Sequence, residues 1–425
     1  MHIGVDEIYV FAKRENKTIK FEVETENFNY VSMESVSDFY LKGIAVIMLD
    51  DQTFVSQAFF IEPGRQKNGF FINDKQLHGK TVMFVKCVFY NLENKSGRFE
   101  IKSIDFSERE TFQSAVLRNG NIYAGFSSEF GGVVSFLTSE RYKISESMQD
   151  GSVCIRFRPE SVTEAQNNAN LLNIYDNGRF PQQTYYGTGN PPYQPAIYKE
   201  TPWVFNPVQG GDSYGNRSPI VDFSVSPDSV WFRLMPLDWA KNGILCDCYM
   251  ESRYSLVDNC LRVSNRVVDF SMLNCGMECR PIEQECPSLN IISSLDKYFV
   301  SVGDTSVDEI GQLKFWAEEE KVIQQRFLVK KQWSCMLNKD GYGIGLFTPH
   351  TKLHLAGKYK VEKDNTIPSA KAESVNHIAG VCKFALESLK PIEYEYYIGV
   401  GSRDELAKGF CHVANKTNSR NGEIK

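Results

Sequence analysis

Three strand-like stretches in the middle of the chain decide the fold: residues 244–254 (ILCDCYMESRY), 261–270 (LRVSNRVVDF) and 291–302 (IISSLDKYFVSV). Each is rich in β-branched and aromatic residues, the side chains that suit a pleated, half-buried surface. Short runs of the same kind, separated by turn residues, recur along most of the chain. Repeated short strands with turn signals between them are typical of sandwiches and barrels, so we predict an all-β protein.

The strand pattern divides the chain into two predicted domains. Residues 1–108 contain short runs at 42–50, 53–61, 81–90 and 98–106, which predict a small accessory β-sandwich. The polar stretch 107–111 (SERET) is a linker candidate, and residues 109–425 carry longer strands that predict one large sandwich.

Two short sequence motifs in the predicted second domain indicate a turn and a helix. Lys339-Asp340-Gly341 lies between two apolar runs, and Asp-Gly in that position predicts a hairpin turn. Ser402-Arg-Asp-Glu405 has the spacing of a capping box and predicts a short C-terminal helix. Leu406 and Phe410 would share the apolar face of that helix.

Composition excludes several classes of protein. The chain has 425 residues, of which 42% are hydrophobic and 24% charged, so a disordered chain is excluded. The net charge is −6, which disfavours a non-specific nucleic-acid binder. The apolar runs are too short for a membrane span, and residues 1–17 do not resemble a signal peptide. We expect a soluble protein, cytoplasmic or exported with a leader absent from this chain, and the sequence leaves its oligomeric state open.

The 11 cysteines are odd in number and cannot all pair within one chain. Zinc is disfavoured because there is no C-x2-C pair and no histidine between His78 and His350. We therefore predict no metal and no cofactor, and mostly buried thiols. For an exported protein the alternative is a disulfide within one set of four residues, namely Cys260, Cys275, Cys279 and Cys286.

His350 and His354 stand at i, i+4, but Pro349 predicts a loop, where both would be solvent-exposed. No Glu adjoins His350, so the zinc-protease motif is absent, and the phosphate-loop, dinucleotide and hydrolase-elbow motifs are absent too.

One segment interrupts the strands, residues 176–216 (DNGRFPQQTYYGTGNPPYQPAIYKETPWVFNPVQGGDSYGN). So long a loop in a compact domain is usually functional, and this one concentrates the groups that bind sugars. Aromatic faces stack on the C–H face of a pyranose, while planar amides and carboxylates bond its hydroxyls. The alternative is that the segment is a structural cover over a sheet. The predicted substrate-binding residues are Arg179, Gln182, Gln183, Tyr185, Tyr186, Trp203 and Gln209.

Glycoside hydrolysis commonly needs two carboxyl groups, one on each side of the scissile bond. We select Glu251 or Glu285 as the general acid because each lies in or beside a strand-like run. Asp176 or Asp212, in the aromatic segment, would be the partner carboxylate or a sugar-orienting group. The alternative for each is an ordinary surface charge, since the chain has 53 acidic residues.

The second domain resembles bacterial carbohydrate-active proteins with a galactose-mutarotase-like β-supersandwich. The resemblance covers about residues 115–405 and rests on the order of its motifs, which are 130–135 (FGGVVS), 173–179 (NIYDNGR), 182–186 (QQTYY), 206–212 (NPVQGGD), 283–287 (EQECP) and 333–347. It implies a concave sheet face that binds a sugar, and in related families a hydrolase, lyase or epimerase.

No motif supplies the histidine that a mutarotase uses for acid–base work, which favours a carboxylate mechanism. The leading hypothesis is therefore a glycoside hydrolase acting on a polysaccharide or oligosaccharide. The alternatives are a polysaccharide lyase, with a Tyr or His base and Arg179 neutralising a uronate, and a non-catalytic glycan-binding protein.

Overall fold

The computed structural model describes residues 2–25, 28–72, 80–119, 122–139, 144–149, 152–157, 170–188, 203–272, 281–302, 307–310, 315–316, 325–359 and 369–417. The chain divides into two compact units, Met1–Thr111 and Phe112–Lys425. The role of the first unit as an accessory domain stays a prediction.

The first unit is a β-sandwich of two four-stranded antiparallel sheets, with strand orders β1-β8-β3-β6 and β2-β7-β4-β5. Its strands are β1 His2–Phe11, β2 Asn16–Thr25, β3 Tyr30–Ser37, β4 Leu41–Leu49, β5 Phe54–Ile61, β6 Gly64–Phe71, β7 Val82–Asn91 and β8 Gly97–Ser107. Burial alternates residue by residue along β4, as expected of a strand with one face in a core. Rings from the two sheets meet between them: Phe59 stacks on Phe70 with centroids 4.6 Å apart, and Phe89 contacts Phe99 at 4.9 Å.

The second unit holds the other strands and the helix of the described chain. They are β9 Ser114–Asn119, β10 Ile122–Ser127, β11 Val134–Ser139, β12 Ile144–Gln149, β13 Ser152–Phe157, β14 Gly187–Thr188, β15 Trp203–Phe205, β16 Pro207–Val208, β17 Ile220–Val225, β18 Ser229–Leu234, β19 Leu237–Asp238, β20 Cys248–Val257, β21 Cys260–Asp269, β22 Ile282–Ile292, β23 Lys297–Ser301, β24 Val307–Ile310, β25 Phe315–Trp316, β26 Gln325–Leu328, β27 Trp333–Leu337, β28 Tyr342–Phe347, β29 Leu353–Tyr359, β30 Val375–Phe384, β31 Ile392–Ser402 and α1 Arg403–Thr417.

Two large sheets enclose the main core of this unit. The larger has nine strands in the order β17-β18-β20-β21-β31-β28-β27-β23-β24, and the smaller has the order β22-β30-β29-β25, with β26 also paired to β29. The larger sheet contributes side chains such as Met250, Val263 and Tyr396 to one buried cluster, and the smaller contributes Leu289 and Ile378. Alternate residues of these strands therefore point inward, and the residues between them line the two outer faces.

Helix α1 begins with the predicted capping box. The Ser402 N–H donates to Glu405 Oε2 at 2.7 Å, and the Glu405 N–H lies 3.4 Å from Ser402 Oγ. Leu406 and Phe410 are buried beside Trp333, which is also fully buried. The prediction of a C-terminal helix is confirmed, and its burial explains why it forms although its neighbours are strands.

The all-β prediction is confirmed. The predicted hairpin is present too, since Lys339-Asp340-Gly341 joins β27 to β28 and Gly341 has φ of +75°. The predicted strand 291–302 is wrong in one respect: it contains the end of β22, a turn, and β23. Tyr193, Tyr198, Cys275 and Cys279 lie outside the described residues.

The prediction that His354 is an exposed loop residue is wrong. It lies on β29, is fully buried, and contacts Ser334 Oγ through Nδ1 at 2.8 Å and Thr348 Oγ1 through Nε2 at 2.8 Å. Burial lowers the pKa of His354 to about 3. The loop prediction overlooked that a proline four residues before a strand, here Pro349 before Leu353, does not prevent that strand from forming.

Within the described ranges, no helix has the length and apolarity that a membrane crossing requires. In the same part of the chain, no three His, Cys, Asp or Glu side chains are grouped closely enough to hold a metal ion.

Candidate functional site

The residues predicted from the aromatic segment separate into a buried scaffold and an accessible group. Five of them belong to the scaffold: Gln182, Gln183, Tyr185, Gln209 and Asp212 are at most 1% exposed. A side chain that is enclosed and bonded inside the protein cannot also stack on or bond a ligand without rearrangement.

The scaffold amides bond neighbouring loops to one another. Gln182 Nε2 donates to the Asn177 carbonyl at 2.7 Å, and its Oε1 accepts from the Gly210 N–H at 2.5 Å. Gln183 Nε2 donates to the Glu251 carbonyl at 2.8 Å, and its Oε1 accepts from the Tyr185 hydroxyl at 2.8 Å. The bond to Glu251 holds the segment against the larger sheet, and the other three bonds hold the segment together, which favours the alternative of a structural cover for these residues.

Asp212 is the centre of a turn. Its Oδ1 accepts from the N–H groups of Tyr214 and Asn216, both at 2.9 Å. Its Oδ2 accepts from Asn216 Nδ2 at 2.8 Å and from the Gly243 N–H at 2.7 Å. With four donors on a 1% exposed residue, this carboxylate holds the loop and does not face a cleft.

The accessible group lies at the start of the aromatic segment and includes Tyr175, just before it. Tyr175 is 49% exposed, and the Arg179 guanidinium lies over its ring at 4.8 Å. Arg179 Nη1 donates to the Glu373 carbonyl at 2.7 Å and to Asn173 Oδ1 at 3.2 Å, and Nε lies 3.3 Å from Asp176 Oδ2. Burial raises the pKa of Asp176, although Arg179 and the Gly178 N–H act in the opposite direction.

Glu285 lies on the outer face of the smaller sheet. It precedes the core residue Cys286 on β22, and its cross-strand partner is Val381. Val381 belongs to a second apolar cluster, with Leu355 and Ala379, on the face of the sheet away from the main core. The Glu285 side chain is 19% exposed, and its Oε2 lies 3.5 Å from His377 Nε2.

Backbone pairing joins these two groups. The Asn173 N–H donates to the Asn290 carbonyl at 3.1 Å, and Gln182 forms a bridge with Ser288. Asn290 Nδ2 lies 3.3 Å from Ser288 Oγ, which lies 3.0 Å from His377 Nε2. Consecutive contacts therefore form what we name the polar row: Asp176, Arg179, Asn173, Asn290, Ser288, His377 and Glu285.

Ser288, His377 and Glu285 are the residue types of a nucleophilic triad, but their geometry differs from one. In a triad the hydroxyl and the carboxylate contact opposite nitrogens of the imidazole. Here both contact Nε2. The Nε2–Oε2 distance of 3.5 Å is an ion-pair contact, longer than a hydrogen bond, and would have to shorten for a proton to pass between His377 and Glu285.

Glu251 lies elsewhere. It follows the core residue Met250 on β20, so its side chain is on the outer face of the larger sheet. Its Oε1 accepts from Arg233 Nε at 2.8 Å and lies 3.7 Å from Arg266 Nη1. Glu251 and Glu285 are thus on opposite outer faces, and the structure does not bring them together.

The backbone of Tyr186 is fixed by Gln284: its N–H donates to Oε1 and its carbonyl accepts from Nε2, both at 2.9 Å. The Tyr186 side chain is half-buried, and Trp203 lies on β15, with its side chain outside the described parts of the chain.

Sequence reasoning missed His377 together with Tyr175, Asn173, Ser288 and Asn290. A signal was present for three of them. Ser288, Asn290 and His377 are polar residues within apolar strands, and His377 is directly opposite Asn290 in the register. The sequence does not show that β22 and β30 are paired, so it could not predict that these three polar residues are neighbours.

The fold and the polar row define an all-β protein of two units, with a line of acid–base and amide side chains across one sheet of the larger unit. No protein-family model matches the sequence. No curated protein matches it either.

Similar solved structures include a putative aldose 1-epimerase from Escherichia coli K12 (11% identity, 68% of this chain and 99% of that chain, TM-score 0.36). A galactose mutarotase related enzyme from Lactobacillus acidophilus has 10% identity over 69% of this chain and 99% of that one, with a TM-score of 0.38. A 4-alpha-glucanotransferase from Thermococcus litoralis has 11% identity over 67% of this chain and 37% of that one, with a TM-score of 0.34. Galactose mutarotase-like proteins are therefore among its structural neighbours, while such scores assign no activity to this chain.

Proposed function

We propose that this protein is a carbohydrate-active enzyme whose substrate contacts the accessible members of the polar row, Asp176, Arg179 and Glu285. The row members between them are at most 7% exposed and would support these three side chains from within the protein. The observation that carries the proposal is the contact between Glu285 and His377, at 3.5 Å, on the row that also holds Arg179, whose guanidinium lies over the exposed ring of Tyr175. An exposed aromatic ring, a guanidinium fork, amides and carboxylates are the groups that neutral and acidic sugars require.

The finer proposal is glycoside hydrolysis, with Asp176 and Glu285 as the two carboxyl groups. Burial raises the pKa of Asp176, and a raised pKa is what a general acid needs at neutral pH. Glu285 would then be the base or nucleophile, which exchanges the roles predicted from sequence. Asp212 and Glu251 are left out, because the first is fully bonded in a turn and the second lies on the other outer face.

A second candidate is proton transfer at carbon, as in an epimerase or a lyase. The specific support is His377, because this buried imidazole could relay a proton to and from a sugar through Glu285, the partly exposed member of the pair. In that mechanism Asp176 and Arg179 would only bind the substrate, and Arg179 would match a uronate carboxylate.

The test is a glycan panel assayed for three products: new reducing ends, an unsaturated ultraviolet-absorbing sugar, and anomeric exchange by NMR. Glu285→Gln should lower the rate by about 10²–10⁴-fold, the usual contribution of a general acid or base. Asp176→Asn should lower it similarly only if the reaction is hydrolysis. His377→Gln should do so only if the imidazole transfers the proton.

Two matched controls are available in the chain. Glu283 is on the same strand as Glu285, exposed and paired with Arg326, and Glu251 is on the opposite outer face. Glu283→Gln is an exposed change and should stay within about threefold of wild type. Glu251→Gln weakens the pair with Arg233, so its rate is measured well below its own Tm, where it should also stay within about threefold. Glu285→Gln turning over at the wild-type rate would reject the site, and saturable binding without any turnover would reject an enzyme.

A further inference from the structure

Three loops of the second unit meet on one surface: residues 175–179, 212–216 and 239–245. The first two are joined because Asn177 Nδ2 donates to the Asn216 carbonyl at 2.7 Å. The last two are joined because the Ser213 N–H donates to the Trp239 carbonyl at 2.9 Å. The surface that they form therefore begins at Asp176 and continues onto residues that the proposed chemistry does not use.

These loops expose large apolar side chains, which folded proteins usually bury. Tyr175 is 49% exposed and Tyr214 62%, while Ile244 is 53% and Leu245 43% exposed. Trp239 is partly exposed. We name these five residues the three-loop patch. Isolated exposed hydrophobic residues are ordinary, whereas several of them on adjoining loops indicate a binding surface.

Trp239 connects the three-loop patch to the Asp176 carboxyl group. A Cβ atom added to Gly178 would lie 2.7 Å from Trp239 Cη2 and 3.2 Å from Asp176 Oδ1. The indole ring therefore packs on the backbone of Gly178, with the carboxyl group beside it. On the same loop as Gly178, the Arg179 guanidinium lies over the Tyr175 ring at 4.8 Å. A ligand held by Asp176 thus has aromatic rings of the patch next to it.

An amide pair lies on the same loops. Asn216 Nδ2 donates to Asn242 Oδ1 at 2.7 Å, and Asn242 is exposed, so its own NH2 group can donate to a ligand hydroxyl. Flat rings stack on the C–H face of a pyranose, and amides bond its hydroxyls. The patch also adjoins Asp176 and Arg179, which the proposed function assigns to a sugar. Its chemistry therefore fits further sugar units.

We propose that the substrate is an oligosaccharide or polysaccharide, and that the three-loop patch binds the sugar units that extend beyond Asp176. This inference rests on the proposed function. Trp239 is the platform next to Asp176, while Tyr214 and Asn242 contact neighbouring units of the glycan. A single sugar bound at Asp176 would leave most of the patch in water, so the patch favours a glycan chain over a monosaccharide.

The test is binding of xylose, glucose, galactose and galacturonate oligosaccharides to the full-length protein, measured by isothermal titration calorimetry from the disaccharide to the hexasaccharide. We expect the affinity for one of these series to rise with chain length. In Trp239→Leu the hexasaccharide should bind about tenfold more weakly, as for the loss of one well-packed aromatic contact, while the disaccharide keeps most of its affinity.

A second variant and a matched control accompany Trp239→Leu. Tyr214→Ala should lower the affinity for the hexasaccharide about threefold, and its exposed ring can be removed without disturbing the packing of Trp239 on Gly178. The control is Trp231→Leu, because Trp231 is also partly exposed but lies on β18, with the Arg233 guanidinium 5.4 Å from its ring. This control should keep the wild-type affinity at every length, and circular dichroism checks that each variant folds.

Two kinds of failure can be told apart. A hexasaccharide that binds wild type no more tightly than its disaccharide would overturn this proposal alone, and it is the result expected if the patch binds a protein partner instead. Folded Trp239→Leu with the wild-type affinity for the hexasaccharide would overturn it too. No binding at any length would overturn the proposed function as well.

Discussion

Replacing Asp212 by asparagine should destabilise the second unit without a specific effect on chemistry. The wild-type carboxylate accepts four hydrogen bonds, two on each oxygen, from Tyr214, Asn216 and Gly243. Asparagine has the same shape but only one acceptor oxygen. Its amide NH2 must face two donors, so two of the four bonds are lost in any orientation.

The magnitude follows from the bonds lost. Hydrogen bonds to a charged acceptor contribute about 1.5–3 kcal/mol each, so losing two costs about 3–6 kcal/mol. For a unit of this size that corresponds to a fall in Tm of roughly 5–10 °C. Asp212 is 1% exposed, but Tyr214 and Gly243 are exposed residues, so water can replace part of the missing bonding and the lower end of this range is expected.

The assay is calorimetric unfolding of the whole protein at pH 7, in which the transition of the second unit is followed. Asp340→Asn is the matched control, since Asp340 lies exposed in the hairpin between β27 and β28. Its Tm should stay within about a degree of wild type, as for most surface substitutions.

A different outcome would refute the reasoning. If Asp212→Asn kept the wild-type Tm yet abolished turnover or sugar binding, then Asp212 would be a functional carboxylate, as the sequence suggested. If both Tm and activity fell, activity measured well below the lowered Tm should recover to near the wild-type value.

Three further predictions concern buried groups. Burial raises the pKa of Asp269 above its unfolded value, so the folded protein loses stability as the pH rises through the raised pKa. The amide of Asp269→Asn carries no charge and can still bond Ser388 and Ser271. The Tm of this variant should therefore rise relative to that of wild type between pH 4 and pH 8. The pKa of His354 is lowered to about 3, below the unfolded value near 6.5. The free energy of unfolding of wild type should therefore fall by up to about 1.4 kcal/mol per pH unit as the pH falls from 6.5 toward 3. In His354→Gln, the Tm should fall less steeply over the same pH range. Gly211 has φ of +131° and an added Cβ would lie 2.0 Å from the Asn216 carbonyl oxygen, so Gly211→Ala should lower stability by about 2 kcal/mol or more in urea unfolding, while Gly215→Ala, with open space around it, should cost less.

Local patterns were sufficient for the secondary structure. The capping box at Ser402 predicted the start of α1, and Asp340-Gly341 predicted a hairpin, because each signal acts within four residues. The prediction for His354 failed since its burial depends on β29 lying between β30 and β26. The pairing of β29 with these strands depends on residues far from His354 in sequence, so no pattern close to His354 predicts it.

The same distinction, between local properties and those that depend on tertiary packing, applies to the candidate site. Sequence alone identified Arg179, Asp176 and Glu285 as chemically capable residues, because residue type and turn context are local properties. It also grouped Gln182, Gln183, Gln209 and Asp212 with them, although each of these four is at most 1% exposed and bonds other parts of the protein through its side chain.

What the sequence by itself determined is the all-β class, the terminal helix and the concentration of sugar-type side chains in one segment. Only the tertiary structure decided which of those side chains face outward, that Glu251 and Glu285 lie on opposite outer faces, and that His377 meets Glu285. The physical reason is that strand alternation defines two faces, while the choice of core face and strand partner follows from the packing of the whole sandwich.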